Sequence, residues 1–169
     1  RRQRQMCIRD SNVIKDDTLE VEIYMKQKTR DLLFELTVKE GDPDRISNIT
    51  GTLSGIAGSF DLSSQRICGE AMNTSFPFAR TNDKITAHTR LLGTTGLKQS
   101  LRIDLTFTDG SSQTIENDLT DLLKNFNDDM PTPMYITGDL LTPIEADMTA
   151  TIVGWENGNE ENGENIEIY

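Results

Sequence analysis

Apolar and polar residues alternate one by one along much of this chain, and this pattern constrains its fold more than any other feature. A period of two places one set of side chains on a buried face of a β-strand and the other set in solvent. The clearest case covers residues 101–108, where four apolar residues alternate with Arg, Asp and Thr. This run leads directly into Asp109-Gly110, a dipeptide typical of tight β-hairpin turns. The chain is therefore predicted to consist mainly of β-strands.

Further runs of this kind bring the total to seven or eight predicted strands. Turn residues separate them, and long helical patterns do not alternate with them, so parallel βαβ units are not indicated. Short strands with turn punctuation favour an all-β sandwich. The other predicted strands cover residues 19–24, 32–39, 49–53, 85–91, 112–115, 134–137 and 148–155.

One short helix is predicted after the hairpin. Leu119, Leu122, Leu123 and Phe126 have the i, i+3, i+4, i+7 spacing of a single helical face. A helix this short is marginal by itself, so we expect it to pack on the sandwich or to close one of its ends. A weaker helical turn is predicted at residues 56–62.

Residues 1–11 differ from everything that follows. They contain four arginines, show no periodicity, and lack the apolar region that a secretory signal needs. They resemble, codon by codon, the translation of a transposase-type sequencing adapter; a natural basic tail is the alternative. We therefore interpret residues 1–11 as an artefact, and expect the rest to be the C-terminal part of a longer protein. Without them the formal charge falls from −11 to −14 and Cys68 is the only cysteine, so no intrachain disulfide is expected.

The remaining chain divides into one domain and a tail. A β-sandwich is predicted over residues 12–155, and residues 156–169 form an acidic, flexible tail because 156–164 contain only Glu, Asn and Gly. The acidic balance excludes a nucleic-acid-binding surface, which needs a basic patch. Apolar stretches fall short of the roughly 20 residues that cross a bilayer as a helix.

Few residues are suited to catalysis. His88, the only histidine, falls on the polar side of its predicted strand, which indicates a solvated residue and not a member of a catalytic triad. Cys68 is predicted to be a small, partly buried loop residue, without a catalytic partner. The carboxylates of Asp128-Asp129 and of residues 145–147 lack a spacing that would bring an acid and a base into one pocket.

Binding motifs are equally sparse. Residues 157–161 offer oxygen ligands but not the ligand spacing of a calcium-binding EF-hand loop. Asn48 and Asn73 begin glycosylation sequons, which are short enough to occur by chance. We predict no catalytic residue, no cofactor and no metal site, and therefore a non-enzymatic β domain.

One segment carries a family resemblance. Residues 46–62, Ile-Ser-Asn-Ile-Thr-Gly-Thr-Leu-Ser-Gly-Ile-Ala-Gly-Ser-Phe-Asp-Leu, resemble the I-x-x-I-x-G-x-L-S-G-I-A signature in the second domain of the FimB/Mfa2 family of fimbrial anchor lipoproteins from Bacteroides-like bacteria. We expect its glycines and other small residues to let the strand bend tightly into a turn. Further segments resemble that domain's opening strand, long hairpin, short helix and closing strand: residues 29–36, 101–110, 117–122 and 152–155.

This resemblance implies both a fold and a function. Such proteins have two transthyretin-like β-sandwich domains, of which this chain would contain the second. They lie at the cell surface, held in the outer membrane by a lipid on an N-terminal cysteine, and they anchor or cap a fimbrial shaft. The implied partners are fimbrial subunits, and the membrane is reached only through a lipid anchor on a part that precedes this chain. A shaft or tip subunit is the variant within this class.

Association is expected through an open sheet edge, at residues 19–24 or 148–155, where another protein adds a strand. The alternative function is a glycan-binding module of a surface lipoprotein. That module would need an exposed aromatic platform, for which Tyr24, Phe78, Tyr135 and Trp155 are the candidates. An enzyme is the third and weakest hypothesis.

Overall fold

The computed structural model describes residues 22, 25–143 and 148–158. Within them lie nine β-strands, one four-residue α-helix and a short 3-10 turn at Pro43–Arg45. Numbered in chain order, they are β1 Arg30–Glu40, β2 Ile46–Asp61, β3 Arg66–Pro77, β4 Ala79–Thr81, β5 Lys84–Leu91, β6 Ser100–Phe107, β7 Ser112–Asp118, α1 Thr120–Leu123, β8 Met134–Leu141 and β9 Thr151–Gly158.

The strands form two sheets that enclose one core. The five-stranded sheet has the order β4-β5-β1-β8-β9, and the four-stranded sheet has the order β3-β2-β6-β7. Neighbouring strands are antiparallel except β1 and β8, which run parallel. Across β1, β8 and β9 the register places Leu33, Tyr135 and Gly158 in one row. The predicted all-β sandwich with one short helix is confirmed.

The core is formed by the alternating apolar residues of both sheets. At its centre Phe34 stacks on Phe76 with the ring centroids 5.6 Å apart, and Phe78 contacts both rings. Such aromatic pairs stabilise a core beyond the area they bury. Gly51 of the sequence motif makes room for these rings, because a Cβ at this position would lie 2.7 Å from Phe76 and from Phe78.

A buried arginine fixes the end of the sandwich that carries α1. Arg30, at the start of β1, is only 7% exposed. Its Nε donates to the carbonyl oxygen of Thr132 at 2.6 Å, and its Nη1 donates to those of Asn125 and Phe126 at 3.1 and 2.9 Å. The guanidinium also lies 5.5 Å from the ring centroid of Phe126. One side chain therefore holds the segment after α1 against the first strand.

The structure corrects the prediction between residues 55 and 77. The helical turn predicted at residues 56–62 is wrong, because these residues belong to the long strand β2 and the turn that follows it. Cys68 lies in β3 and not in a loop, and it is exposed and not partly buried. The tight turn expected in the family motif is instead a bend within β2, at an irregularity of the β2–β3 pairing beside Gly55, whose φ is +72°. A second irregularity lies beside Gly69, whose φ is +85°. Glycine adopts these left-handed angles without steric cost, so both positions act as β-bulges.

Other boundaries also differ. The predicted helical face is buried, but α1 itself has only four residues and hydrogen-bonded turns continue it to Phe126. Strand β9 extends to Gly158, three residues beyond the predicted end of the domain. Predictions for residues 1–21, 23–24, 144–147 and 159–169 lie outside the described part of the chain. Those predictions include the strand at residues 19–24, the platform residue Tyr24 and most of the tail.

Candidate interaction surface at the sheet edges

Each sheet ends in strands whose outer side has no hydrogen-bonded strand neighbour among the described residues. These edge strands are β4 and β9 in the five-stranded sheet, and β3 and β7 in the four-stranded sheet. Unpaired N–H and C=O groups along an edge can accept a strand from another chain. Strand β4 has only three residues, which leaves β3, β7 and β9 as candidate docking edges.

Strands β7 and β9 border the same side of the sandwich and are joined at one end by a side chain. The Gln113 amide donates from Nε2 to the carbonyl oxygen of Met148 at 3.2 Å. Its Oε1 accepts from the backbone N–H of Ala150 at 2.6 Å. This pair of hydrogen bonds resembles one rung of a β-ladder, so the amide closes the seam between the sheets just before β9 begins. The rest of β9 keeps a free outer side in the described part of the chain.

A bulge in β9 sets the direction of its side chains. Gly154, with φ +64°, and Trp155 lie together opposite Gly138 of β8, where the pairing register shifts. The extra residue turns the Trp155 ring onto the core, and a Cβ at Gly138 would lie 3.1 Å from its Cε3 atom. Val153, on the other side of the bulge, is 47% exposed. In the described part of the chain, strand β9 therefore combines an edge without a strand neighbour, an exposed apolar residue and an aromatic ring packed on the core.

Trp155 also carries an unsatisfied donor. Its indole Nε1–H is buried and has no hydrogen-bond acceptor in the described structure. Leaving a buried donor unpaired costs about 1–3 kcal/mol, and the great majority of buried polar side-chain atoms do have partners. The Trp155 N–H is therefore an exception that needs an explanation.

The β3 edge has a different character. Its first eight residues are almost all exposed, including Cys68 and Met72, which is 55% exposed. Strand β2 pairs with β6 only as far as Leu53, so the outer part of the β2–β3 hairpin extends beyond that pairing. The bulge at Gly69 interrupts this edge, and such interruptions are a common means of discouraging strand addition. At the β7 edge, strand addition is discouraged by the exposed carboxylates of Glu116 and Asp118.

An ion cluster lies on the outer face of the five-stranded sheet. The Asp31 carboxylate accepts from Nε and Nη2 of Arg90 at 2.8 and 3.0 Å, and His88 Nε2 lies 2.8 Å from Asp31 Oδ1. The hydrogen bond from Arg90 holds the pKa of Asp31 below its usual value, against the opposing effect of burial, and His88 acts in the same direction. The prediction of a solvated His88 is thus wrong: the ring is half-buried and paired.

This cluster does not form a catalytic triad. Within the described residues, no hydroxyl or thiol is hydrogen-bonded to His88, so a nucleophile is lacking. Sequence reasoning missed Asp31 because the strand is buried on both faces at this point, which hides the period-two signal. The partners of Asp31 could have been identified only from the strand register, which places Asp31 opposite Arg90.

The remaining sequence candidates do not converge on one site. Phe78 lies in the core and Trp155 packs against the core, so neither can belong to an exposed aromatic platform. Tyr135, a third candidate for that platform, is half-buried. Asn48 and Asn73 are exposed on the neighbouring strands β2 and β3. Among the described residues, no three His, Cys, Asp or Glu side chains are grouped so that they could hold a metal ion. In the same part of the chain, no helix is long and apolar enough to cross a membrane.

Comparison with known proteins agrees with this architecture. Residues 5–161 match the family described as "Fimbrillin-A associated anchor proteins Mfa1 and Mfa2". The match begins within residues 1–11, whose adapter origin stays a prediction. The fold is similar to that of the fimbrial anchor protein Mfa2 from Porphyromonas gingivalis, with a TM-score of 0.52 and 15% identity over 77% of this chain and 46% of that one.

A second solved structure is similar to the same degree. It is a candidate adhesin from Bacteroides ovatus, with a TM-score of 0.51 and 13% identity over 73% of this chain and 48% of that one. The chain thus spans about half the length of both solved structures. A search of curated proteins finds no significant match. The resemblance noted in the sequence is confirmed.

Proposed function

Because the chain belongs to the family of fimbrillin-A associated anchor proteins, we propose that it is part of a fimbrial anchor or assembly component. Its role is structural and non-catalytic, and its partners are fimbrial subunits. It acts at the cell surface, and the protein that contains it is held in the outer membrane by a lipid anchor on a part outside this chain. The second domain of a longer anchor protein is the form in which it functions.

The observation that carries this proposal is the outer edge of β9, which has no strand neighbour among the residues that the structure describes. A subunit that adds a strand there gains a row of backbone hydrogen bonds, while side chains of alternate residues provide specificity. Val153 offers apolar area on this edge, whereas β7 carries two exposed carboxylates and β3 carries a bulge in its exposed half. Strand β9 also overlaps residues 148–155, one of the two edges expected from the sequence.

The glycan-binding alternative loses its basis in the aromatic residues. A platform needs rings that lie flat and exposed, but Phe78 and Trp155 are used to fill the core.

Hydrogen–deuterium exchange tests the proposal directly. The full chain is mixed with a purified fimbrial subunit from the same organism, and backbone exchange is followed by mass spectrometry. We expect binding, with slower exchange in peptides that cover Thr151–Gly158. Peptides that cover Arg66–Pro77 and Ser112–Asp118 report on the other two edges and serve as internal controls. The absence of binding contradicts the anchor function, and protection confined to β3 or β7 contradicts the choice of edge.

A further inference from the structure

We propose that the α1 end of the sandwich packs against the other domain of the longer protein that contains this chain. This inference rests on the proposed function and deepens it, because it assigns a second surface, which docking at β9 does not use. The surface consists of two parts. One is the loop between β5 and β6, residues 92–99; the other is the arm, residues 54–72, in which the β2–β3 hairpin extends beyond β6.

The first argument is the distribution of exposed apolar side chains. Six large apolar side chains are exposed in the described part of the chain. Four of them lie on the arm, on the loop or in the segment that leads into β1: Met25, Leu62, Met72 and Leu97. A single exposed apolar residue is ordinary, but several at one end of a domain are typical of a surface that another protein surface covers.

The second argument is the way in which the loop presents Leu97, which is fully exposed. The backbone N–H of Thr95 donates to the carbonyl oxygen of Gly55 in the arm at 2.8 Å. Gln99, only 5% exposed, donates from Nε2 to the carbonyl oxygen of Thr95 at 3.1 Å and so closes the loop around Leu97. The loop is therefore fixed against the arm before any partner arrives, and a preorganised contact of this kind loses little entropy on binding.

The third argument identifies the occupant. The segment before β1 runs beside the arm, where Lys28 Nζ lies 5.2 Å from the ring centroid of Phe60. Strand β9 ends at Gly158, in the same row as Leu33 near the start of β1. The chain spans about half the length of the two similar solved structures, so the longer protein has room for a domain of comparable size. Attached before β1 or after β9, that domain is tethered at the α1 end and meets this surface at a high effective concentration.

The opposite end of the sandwich is less suited to such a contact. Its turns at residues 41–44, 81–83 and 108–111 contain only Asp, Asn, Ser, Thr, Gly and Pro. The two remaining exposed apolar residues, Met148 and Val153, lie just before β9 or on it, at the edge already proposed for the fimbrial subunit. The two surfaces are therefore distinct, and the domain can use both at once.

Hydrogen–deuterium exchange compares this surface in two proteins, the 169-residue chain alone and the longer protein encoded by the complete gene. We expect slower exchange in the longer protein in peptides that cover residues 60–67, at the tip of the arm, and residues 94–98 of the loop. Peptides that cover residues 108–111, a turn at the opposite end, should exchange at the same rate in both proteins. A concentration series of the chain alone detects self-association, because protection by a second copy rises with concentration.

A substitution at Leu97 then tests the contact in the longer protein. Because Leu97 is fully exposed in this domain, Leu97→Ser should leave the urea unfolding midpoint of the chain alone unchanged. Loss of one leucine from the interface should shift the equilibrium between packed and separated domains about ten-fold, so residues 60–67 should exchange about ten-fold faster. Met148→Ser is the matched control, because it changes an exposed apolar residue outside this surface, and it should leave that exchange rate unchanged.

The outcomes separate this inference from the proposed function. Slower exchange that Leu97→Ser reverses and Met148→Ser does not supports the inference. Equal exchange of residues 60–67 and 94–98 in the two proteins overturns it, and so does protection that appears in the chain alone and rises with concentration, which assigns the surface to a second copy. Binding of the fimbrial subunit to the longer protein is measured separately and decides the anchor function, whether or not this surface is covered.

Discussion

Replacing Arg30 by methionine should destabilise the domain strongly, although Arg30 has no acidic partner among the described residues. The guanidinium is buried and its hydrogen bonds go to three backbone carbonyl groups, at Thr132, Asn125 and Phe126. Methionine retains most of the apolar stem but cannot donate. The three carbonyl oxygens then lose their donor at the end of the sandwich where α1 packs.

The size of the effect follows from these contacts. Each orphaned carbonyl costs about 1 kcal/mol, which gives about 3 kcal/mol in total. Part of this is recovered because a buried charge no longer has to be desolvated, so the net loss is about 2–3 kcal/mol. With a urea dependence of about 2 kcal/mol per M, the unfolding midpoint should fall by about 1 M.

Equilibrium unfolding in urea, followed by circular dichroism, measures this shift. The control is Arg102→Met, which removes an exposed arginine whose partner is Asp104 on the sheet surface. A surface pair of this kind is screened by solvent, so the control should shift the midpoint much less. If Arg30→Met and Arg102→Met shift the midpoint equally, the anchoring role of Arg30 is refuted.

Three further variants probe the ion cluster and two glycines. The pKa of Asp31 lies below its usual 3.8, chiefly because Arg90 donates hydrogen bonds to the carboxylate. The ionised carboxylate therefore stabilises the fold fully above pH 3.8, and this stabilisation is lost as the pH falls through the lowered pKa. The wild type should therefore lose stability in urea titrations below about pH 4, and Asp31→Asn should be less stable at pH 7 but lose less on acidification. Gly51→Ala places a Cβ 2.7 Å from the ring of Phe76 and should cost about 1–3 kcal/mol; an unchanged melting temperature would argue against that packing. Gly154→Ala meets nothing closer than 3.9 Å, so its cost of about 1–2 kcal/mol comes from the φ of +64° alone, and a neutral effect would show that the bulge had relaxed.

Strands with one buried face were readily predicted from the sequence. In β6, Leu101, Ile103 and Leu105 are buried between more exposed residues, and the predicted and observed strands nearly coincide. Strand β3 was missed because it is an edge strand whose residues are mostly exposed on both faces, so burial imposes no alternation on them. The pattern at residues 56–62 was misread because the bulge at Gly55 breaks the period of two.

The candidate site was predictable only in its location. The family resemblance led us to expect an edge at residues 19–24 or 148–155, and β9 lies at a sheet edge in the described part of the chain. The unsatisfied donor of Trp155 could not be predicted, since it depends on which atoms lie around one ring. The pairing of Asp31 with Arg90 likewise depends on the register of two strands, which brings together residues 59 positions apart in the chain.

The shared row of Leu33, Tyr135 and Gly158 has a mechanical consequence. The entry of β1 and the exit of β9 lie at the same end of the five-stranded sheet, two strand spacings or about 10 Å apart. A force that pulls these two ends apart acts across the strands, so the hydrogen bonds between them would break one after another and a small force would be enough. If a strand docked along β9 leaves at the opposite end of the sheet, a force that enters through β1 and leaves through that strand runs parallel to the strands and loads their hydrogen bonds together. Edge docking in this direction would therefore let the domain bear a pull that it could not bear between the start of β1 and the end of β9.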